Sequence, residues 1–127
     1  MVPLLASLLA IPPAAAVPAW EAIDAPGGFV QTFVDANGIA REGDVVRFRV
    51  RGLFERTMAT GMRAMIAHWQ VDCAARNGRM TRLETYGEDD RQLSARDLSV
   101  EEEPVQPIGD RPEDAAMLRR ICETPAR

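Results

Sequence analysis

Between Trp20 and Tyr86 apolar and polar residues alternate with a period of two, and the alternation is broken at turn-forming dipeptides. That rhythm predicts consecutive antiparallel strands. It is clearest over residues 45–53, where Val46, Phe48 and Val50 are predicted to face a core and Arg47, Arg49 and Arg51 to face out. A short strand is predicted over residues 20–24. Pro26, Gly27 and Gly28 break it, and a second strand over 29–35 places Phe29 and Phe33 on one side and Val30, Thr32 and Val34 on the other. Residues 65–75 resume the pattern, with Met65, Ala67, Trp69, Val71 and Cys73 inward and Ile66, His68, Gln70 and Asp72 outward. Asn37-Gly38 and Asn77-Gly78 read as turns because both residue types tolerate positive φ. The second is predicted to close a tight hairpin onto a returning strand over 79–86. The intervening segment 52–61 loses the alternation and reads as a loop long enough to move.

Beyond Gly87 the character changes: an acidic turn at Glu88, Asp89 and Asp90, an edge strand over 92–98, and a proline-broken acidic connection through residues 101–107. Met117, Leu118, Ile121 and Cys122 then recur at helical spacing and predict a helix ending near Glu123. Asp110 or a neighbour is its expected cap, Pro112 suits its first turn, and Glu113 and Asp114 favour its positive end. The chain contains no internal repeat. The predicted fold class is α+β, an antiparallel sheet of five or six strands packed against a C-terminal helix.

The N-terminal end is different again. The first charge is Glu21, and Leu4 to Ile11 form an apolar run followed by prolines and the small residues Ala14, Ala15 and Ala16. The run falls short of the ~20 residues that cross a bilayer, whereas Ala14 and Ala16 supply the small side chains of a signal-peptidase site. Residues 1–16 therefore read as a secretory signal peptide, cleaved after Ala16, and residues 17–127 as a single periplasmic or secreted domain. No cysteine stands near the cleavage site to take a lipid, and no later run would insert in a membrane. In an oxidising compartment two lone thiols in one small domain pair, so Cys73 and Cys122 are predicted to form a disulfide. Closing a loop of about 50 residues is worth about 4 kcal/mol in the chain-entropy picture.

Composition narrows the chemistry. The 127 residues carry a net charge of -4, two cysteines and one histidine, which excludes a zinc finger, a cysteine knot and a globally basic nucleic-acid binder. All fifteen basic residues are arginine, a bias that follows from GC-rich codons and discounts functional readings of any one of them. The charge is nonetheless uneven: residues 41–83 hold nine arginines against four acids, and residues 84–127 hold six against twelve. Arg47, Arg49 and Arg51 would project from one side of a strand about 7 Å apart, a spacing that suits a polyanion such as a sulfated glycan, or an acidic protein partner. Cross-strand acids would neutralise the same stripe. His68 is the single histidine, and Ser94 and Ser99 are the serines beyond the signal. A hydrolytic site would have to combine His68 with Asp72 and one of these serines, and no motif around them supports it. The acid groups at 88–90 and 101–103 lack the alternating ligand pattern of a calcium loop. No catalytic, metal or cofactor site is predicted.

Trp20, Asp35, the Asp72-Cys73 pair, Tyr86 and Cys122, spaced as they are, resemble the surface-adhesin protein E family of Gram-negative bacteria. The resemblance implies an antiparallel sheet tied by a disulfide to a C-terminal helix. It also implies a non-enzymatic binding domain, since adhesin members bind host extracellular proteins from a lipid anchor that this chain lacks. An exposed edge strand adds the prospect of a homodimer. The alternative function is a small periplasmic hydrolase using His68 and Asp72.

Overall fold

The alternating segments are strands in the computed structural model, which describes residues 17–24 and 28–123; the predicted signal peptide and its cleavage position lie outside them. Eight strands follow in order: β1 Trp20–Ile23, β2 Gln31–Asp35, β3 Ala40–Glu42, β4 Val45–Leu53, β5 Ala64–Asp72, β6 Asn77–Tyr86, β7 Gln92–Asp97 and β8 Gln106–Pro107. One helix, α1, closes the chain at Pro112–Cys122. The fold is mostly β, and eight strands exceed the expected five or six.

The excess has a simple origin. All pairings are antiparallel, and the path across the sheet runs β1-β2-β4-β5-β6-β7. β2 pairs with residues 50–53 of β4 and β3 with residues 45–47 of the same strand, so β2 and β3 share one edge of β4. A single 3-10 turn at Ala36–Gly38 separates them. β7 and β8 divide one edge of β6 in the same way. Eight strands thus occupy six positions, because two short strands that the alternation does not predict, β3 and β8, fill the remaining edge of β4 and of β6 beside β2 and β7.

Both Asn-Gly dipeptides act differently from the expectation. Asn37-Gly38 lies within the 3-10 turn, and neither residue takes positive φ. Asn77 and Gly78 are the first residues of β6, and the β5–β6 connection is the Cys73–Arg76 stretch before them. There Arg76 takes φ 55° and the Asp72 carboxylate accepts from the Ala74 and Ala75 N–H groups at 3.0 and 2.9 Å. Gly78 is required for closeness: a Cβ would sit 2.7 Å from the Gln70 carbonyl and 2.8 Å from Ile108 Cδ1. The segment 52–61 is also tighter than a mobile loop. β4 extends through Leu53, Phe54 N–H donates to Arg63 O at 2.9 Å, and a turn at Met58–Gly61 closes the hairpin.

Register sorts the side chains between two faces, since opposed residues in antiparallel strands share a side. On one face Val34, Val46, Phe48 and Val71 pack against Met117, Leu118 and Ile121 of α1, with Ile108 completing the buried cluster. Phe29 belongs to this face: its ring lies over Gly52, opposite the side taken by Phe33, because the chain has left the strand before Gln31. The helix is held at its C-terminal end by the Cys73–Cys122 disulfide, Cα–Cα 5.8 Å, as predicted. Arg41 Nη1 donates to the Cys122 carbonyl at 2.6 Å and places a cation at the negative helix end. Arg120 reaches Glu21 on β1. At the other end the N-cap is Arg111 in place of Asp110; no side chain caps it, and Asp114 one turn in pairs with Arg111 at 3.3 Å.

Candidate functional site

The opposite face of the sheet carries the charged residues. Phe48↔Trp69 and Arg49↔His68 are consecutive pairs of the β4–β5 ladder, so alternation sends the aromatic pair to the core and the basic pair outward. The pattern would run on unchanged into β6 but for a bulge: His68 opposes Arg82 and Trp69 opposes Met80, leaving Thr81 as the extra residue. Thr81 Oγ1 returns a hydrogen bond to the His68 carbonyl. The bulge sets Arg82, Glu84 and Tyr86 on the same face as His68, Ile66 and Ala64.

Each member of the arginine stripe has a different partner. Arg49 Nη2 donates to Asp35 Oδ2 at 2.5 Å, and its guanidinium lies 5.4 Å from the Trp20 ring centre. Asp35, 2% exposed, also accepts from the Ala19 and Asn37 N–H groups. Burial pushes its carboxyl up, but Arg49 and the two backbone donors outweigh that and hold it below the usual carboxylate range. Arg51 pairs with Asp90 on the exposed turn after β6, at 3.2 Å. Arg47 is exposed, and its Nε donates to the Gln70 amide oxygen at 3.2 Å, a neutral partner. Arg47, Arg49, His68, Gln70 and Thr81 line a shallow depression with Gly38 on its rim.

His68 pairs with Glu84 through Nε2, and Tyr86 donates to the other Glu84 oxygen at 2.5 Å. Burial raises the Glu84 carboxyl, and the bonds from Tyr86 and His68 more than reverse it, leaving it lowered. Tyr86 is pushed up to about 12, first by burial and then by its bond to Glu84. Arg82 continues the network to Asp97 at 2.8 Å. Sequence reasoning missed this cluster: Glu84 and Tyr86 carry the right alternation, but the bulge that aligns them with His68 leaves no mark in the pattern.

The residues of the hydrolase alternative are not brought together. Asp72 is taken up by the β5–β6 turn, Ser94 bonds Thr85 on the helix-facing side of the sheet, and Ser99 caps the turn at 99–102. Of the acids at 88–90 and 101–103, Asp89 accepts from the Arg91 N–H, Asp90 pairs with Arg51, and Glu102 bonds Arg96 and the Ser99 N–H. Among the described residues no group of three or more His, Cys, Asp or Glu is placed to hold a metal ion, and no helix is long and apolar enough to cross a membrane.

A twisted antiparallel sheet clasped on one side by a disulfide-bound C-terminal helix, with a charge-networked opposite face, defines the class of this protein. The profile of the surface-adhesin protein E family matches residues 20–123, and the chain belongs to that family. Its fold is similar to crystal structures of Haemophilus influenzae protein E. One superposes with TM-score 0.59 at 11% identity, covering 84% of this chain and 90% of that one. A second crystal form gives 0.57 at 14% identity over 84% and 96%. Protein E from non-typeable Haemophilus influenzae gives 0.58 at 14% identity over 88% and 81%. At these identities the likeness is one of fold. No curated protein matches the sequence.

Proposed function

We propose that the chain is an exported, non-enzymatic binding domain of the cell envelope, and that the Arg47 end of its polar sheet face contacts an anionic group on a macromolecular partner. The observation that supports this reading is the contrast within the stripe. Arg49 and Arg51 face carboxylates, while Arg47 is exposed beside a neutral glutamine at the edge of a depression that also holds His68 and Gln70. A sulfate or carboxylate there would accept from Arg47 in the charge-assisted geometry that guanidinium groups favour. Family membership supports partners of the extracellular kind, and the arginine spacing is what suits a polyanionic glycan among them. Export rests on the apolar leader of residues 1–16 and on the disulfide.

The test is retention on immobilised heparin. The wild-type domain is expected to bind at low salt and elute as salt rises, since exposed charges are screened with a Debye length of about 8 Å at physiological ionic strength. Replacing Arg47 and Arg51 with serine should remove retention and leave the melting temperature nearly unchanged, because exposed ion pairs contribute only about 0–1 kcal/mol. Arg49 is left in place, since removing it would leave Asp35 buried without its cation. Wild-type protein that flows through at low salt would overturn the reading.

A further inference from the structure

On the helix-facing side of the sheet α1 covers only part of the apolar surface. Val46, Phe48 and Val71 are sealed beneath Met117, Leu118 and Ile121. Further along the same strands Val50, Met65 and Ala67 form the floor of a cavity of about 260 Å³ that the helix reaches only with Met117 and its N-terminal turn. Phe29 forms one wall. Its ring atoms lie 2.5–2.7 Å from where a Cβ on Gly52 would stand, so only glycine at that position lets the ring lie against the strand. Trp69 and Met80 add to the lining, and Arg111 and Asp114 stand at its rim.

Thr32 also lines this cavity. It is 9% exposed, and among the described residues its hydroxyl makes no hydrogen bond to the protein. Among the described residues no fully enclosed side-chain oxygen or nitrogen lacks a partner, so the Thr32 hydroxyl retains access, and the cavity is the space it adjoins. A nearly buried hydroxyl without a partner, in a pocket whose only other polar side chains, Arg111 and Asp114, are engaged with each other, is the fixture that would orient a ligand.

We propose that this cavity binds a small apolar molecule bearing a single neutral hydrogen-bonding group, such as a medium-chain alcohol, with its head on Thr32 and its body among Met65, Met80 and Met117. The volume lies between the roughly 150 Å³ that holds a benzene ring and the roughly 300 Å³ at which drug-sized sites begin. Three unbranched, polarisable methionines fit a flexible aliphatic body better than one fixed shape. Neutrality follows from the rim: Arg111 and Asp114 are already paired at 3.3 Å, and a charged head would enter an apolar site without a counter-ion of its own. This site is on the face opposite the arginine stripe, so its test and the heparin test fail independently.

The probe is 1-octanol, titrated into the Trp20→Phe protein so that Trp69 is the remaining tryptophan and reports from the cavity wall. A saturable change in Trp69 fluorescence is expected. Thr32→Val, which keeps the shape and removes the hydroxyl, should weaken binding about three- to tenfold. Ala67→Leu, which fills the floor, should abolish the saturable change. Independently of these variants, methyl-labelled Met65, Met80 and Met117 should shift together in NMR spectra while exposed Met58 does not. A linear, unsaturable fluorescence response, octanol binding unaffected by Ala67→Leu, shifts confined to Met58, or octanoate binding as tightly as octanol would each overturn the proposal.

Discussion

At the scale of single residues, Asp35 illustrates how one side chain joins several levels of this structure. It ends β2, accepts from Asn37 to start the 3-10 turn, accepts from Ala19 to hold the chain before β1, and receives Arg49 from β4. Breaking a buried charge pair from one side costs more than the pair contributes net. Asp35→Asn and Arg49→Ser are each expected to destabilise by about 3 kcal/mol, checked by urea unfolding, with Arg49→Ser the worse because it leaves the buried carboxylate behind. The folded-state carboxyls of Asp35 and Glu84 both sit lower than in the unfolded chain. Their contribution is therefore complete only above the unfolded values, from about pH 5 upward, and is lost as pH falls through the folded values. The melting temperature should decline on the acid side below about pH 5, with a shallower decline in Asp35→Asn. The chain's single tyrosine offers a direct check: absorbance titration should place the ionisation of Tyr86 near 12, above the ordinary phenol value of 10.0. The stability tied to the neutral phenol is present below 10 and lost as pH rises through the folded value.

Among the elements, what could be read from sequence was whatever the strand period controls by itself. The inward set Val46, Phe48 and Val71, the outward arginines, the β5–β6 hairpin, the edge strand at 92–97 and the terminal helix all follow from alternation or helical spacing. Two of the failures share one physical cause, which is contact from a distant segment. Gly78 looks like a turn glycine, but Ile108, thirty residues on, lies where its Cβ would be. Phe29 has the parity of Phe33, but the strand begins only at Gln31 and the ring turns to Gly52. The charge cluster at His68 depends on a bulge that shifts Glu84 and Tyr86 into register, and nothing local announces it. Gly78→Ala should accordingly cost about 1–3 kcal/mol through overpacking, although a glycine outside a turn would ordinarily gain from that change. Thermal unfolding of the purified variant measures it.

For the whole molecule the decisive covalent feature is the bond between Cys73, next to the end of β5, and Cys122 in the last turn of α1. Material recovered from the envelope should carry an N-terminus near Val17 and the mass of the oxidised form, determined by mass spectrometry. Reduction should lower the melting temperature by on the order of 15 °C, given about 4 kcal/mol for the closed loop and a few degrees per kcal/mol in a domain of this size. The sheet itself should survive, because β4, β5 and β6 form a ladder, offset only at the Thr81 bulge, that the helix covers without interrupting.

That attachment is lopsided, and hydrogen exchange should expose it. The last turn of α1 is fastened by the disulfide, by Arg41 on its terminal carbonyl and by Arg120 to β1, while the first turn rests on Arg111 and Asp114 beside the open cavity. Local opening is governed by the contacts a segment would have to give up. Amide protons near Ala115 should therefore trade with solvent by brief fraying of the helix start, well before those at Ile121, whose release waits on loss of the core. With the helix fixed more firmly at its last turn than at its first, fraying of that first turn would open the mouth of the apolar cavity and admit a guest molecule without any unfolding of the sheet.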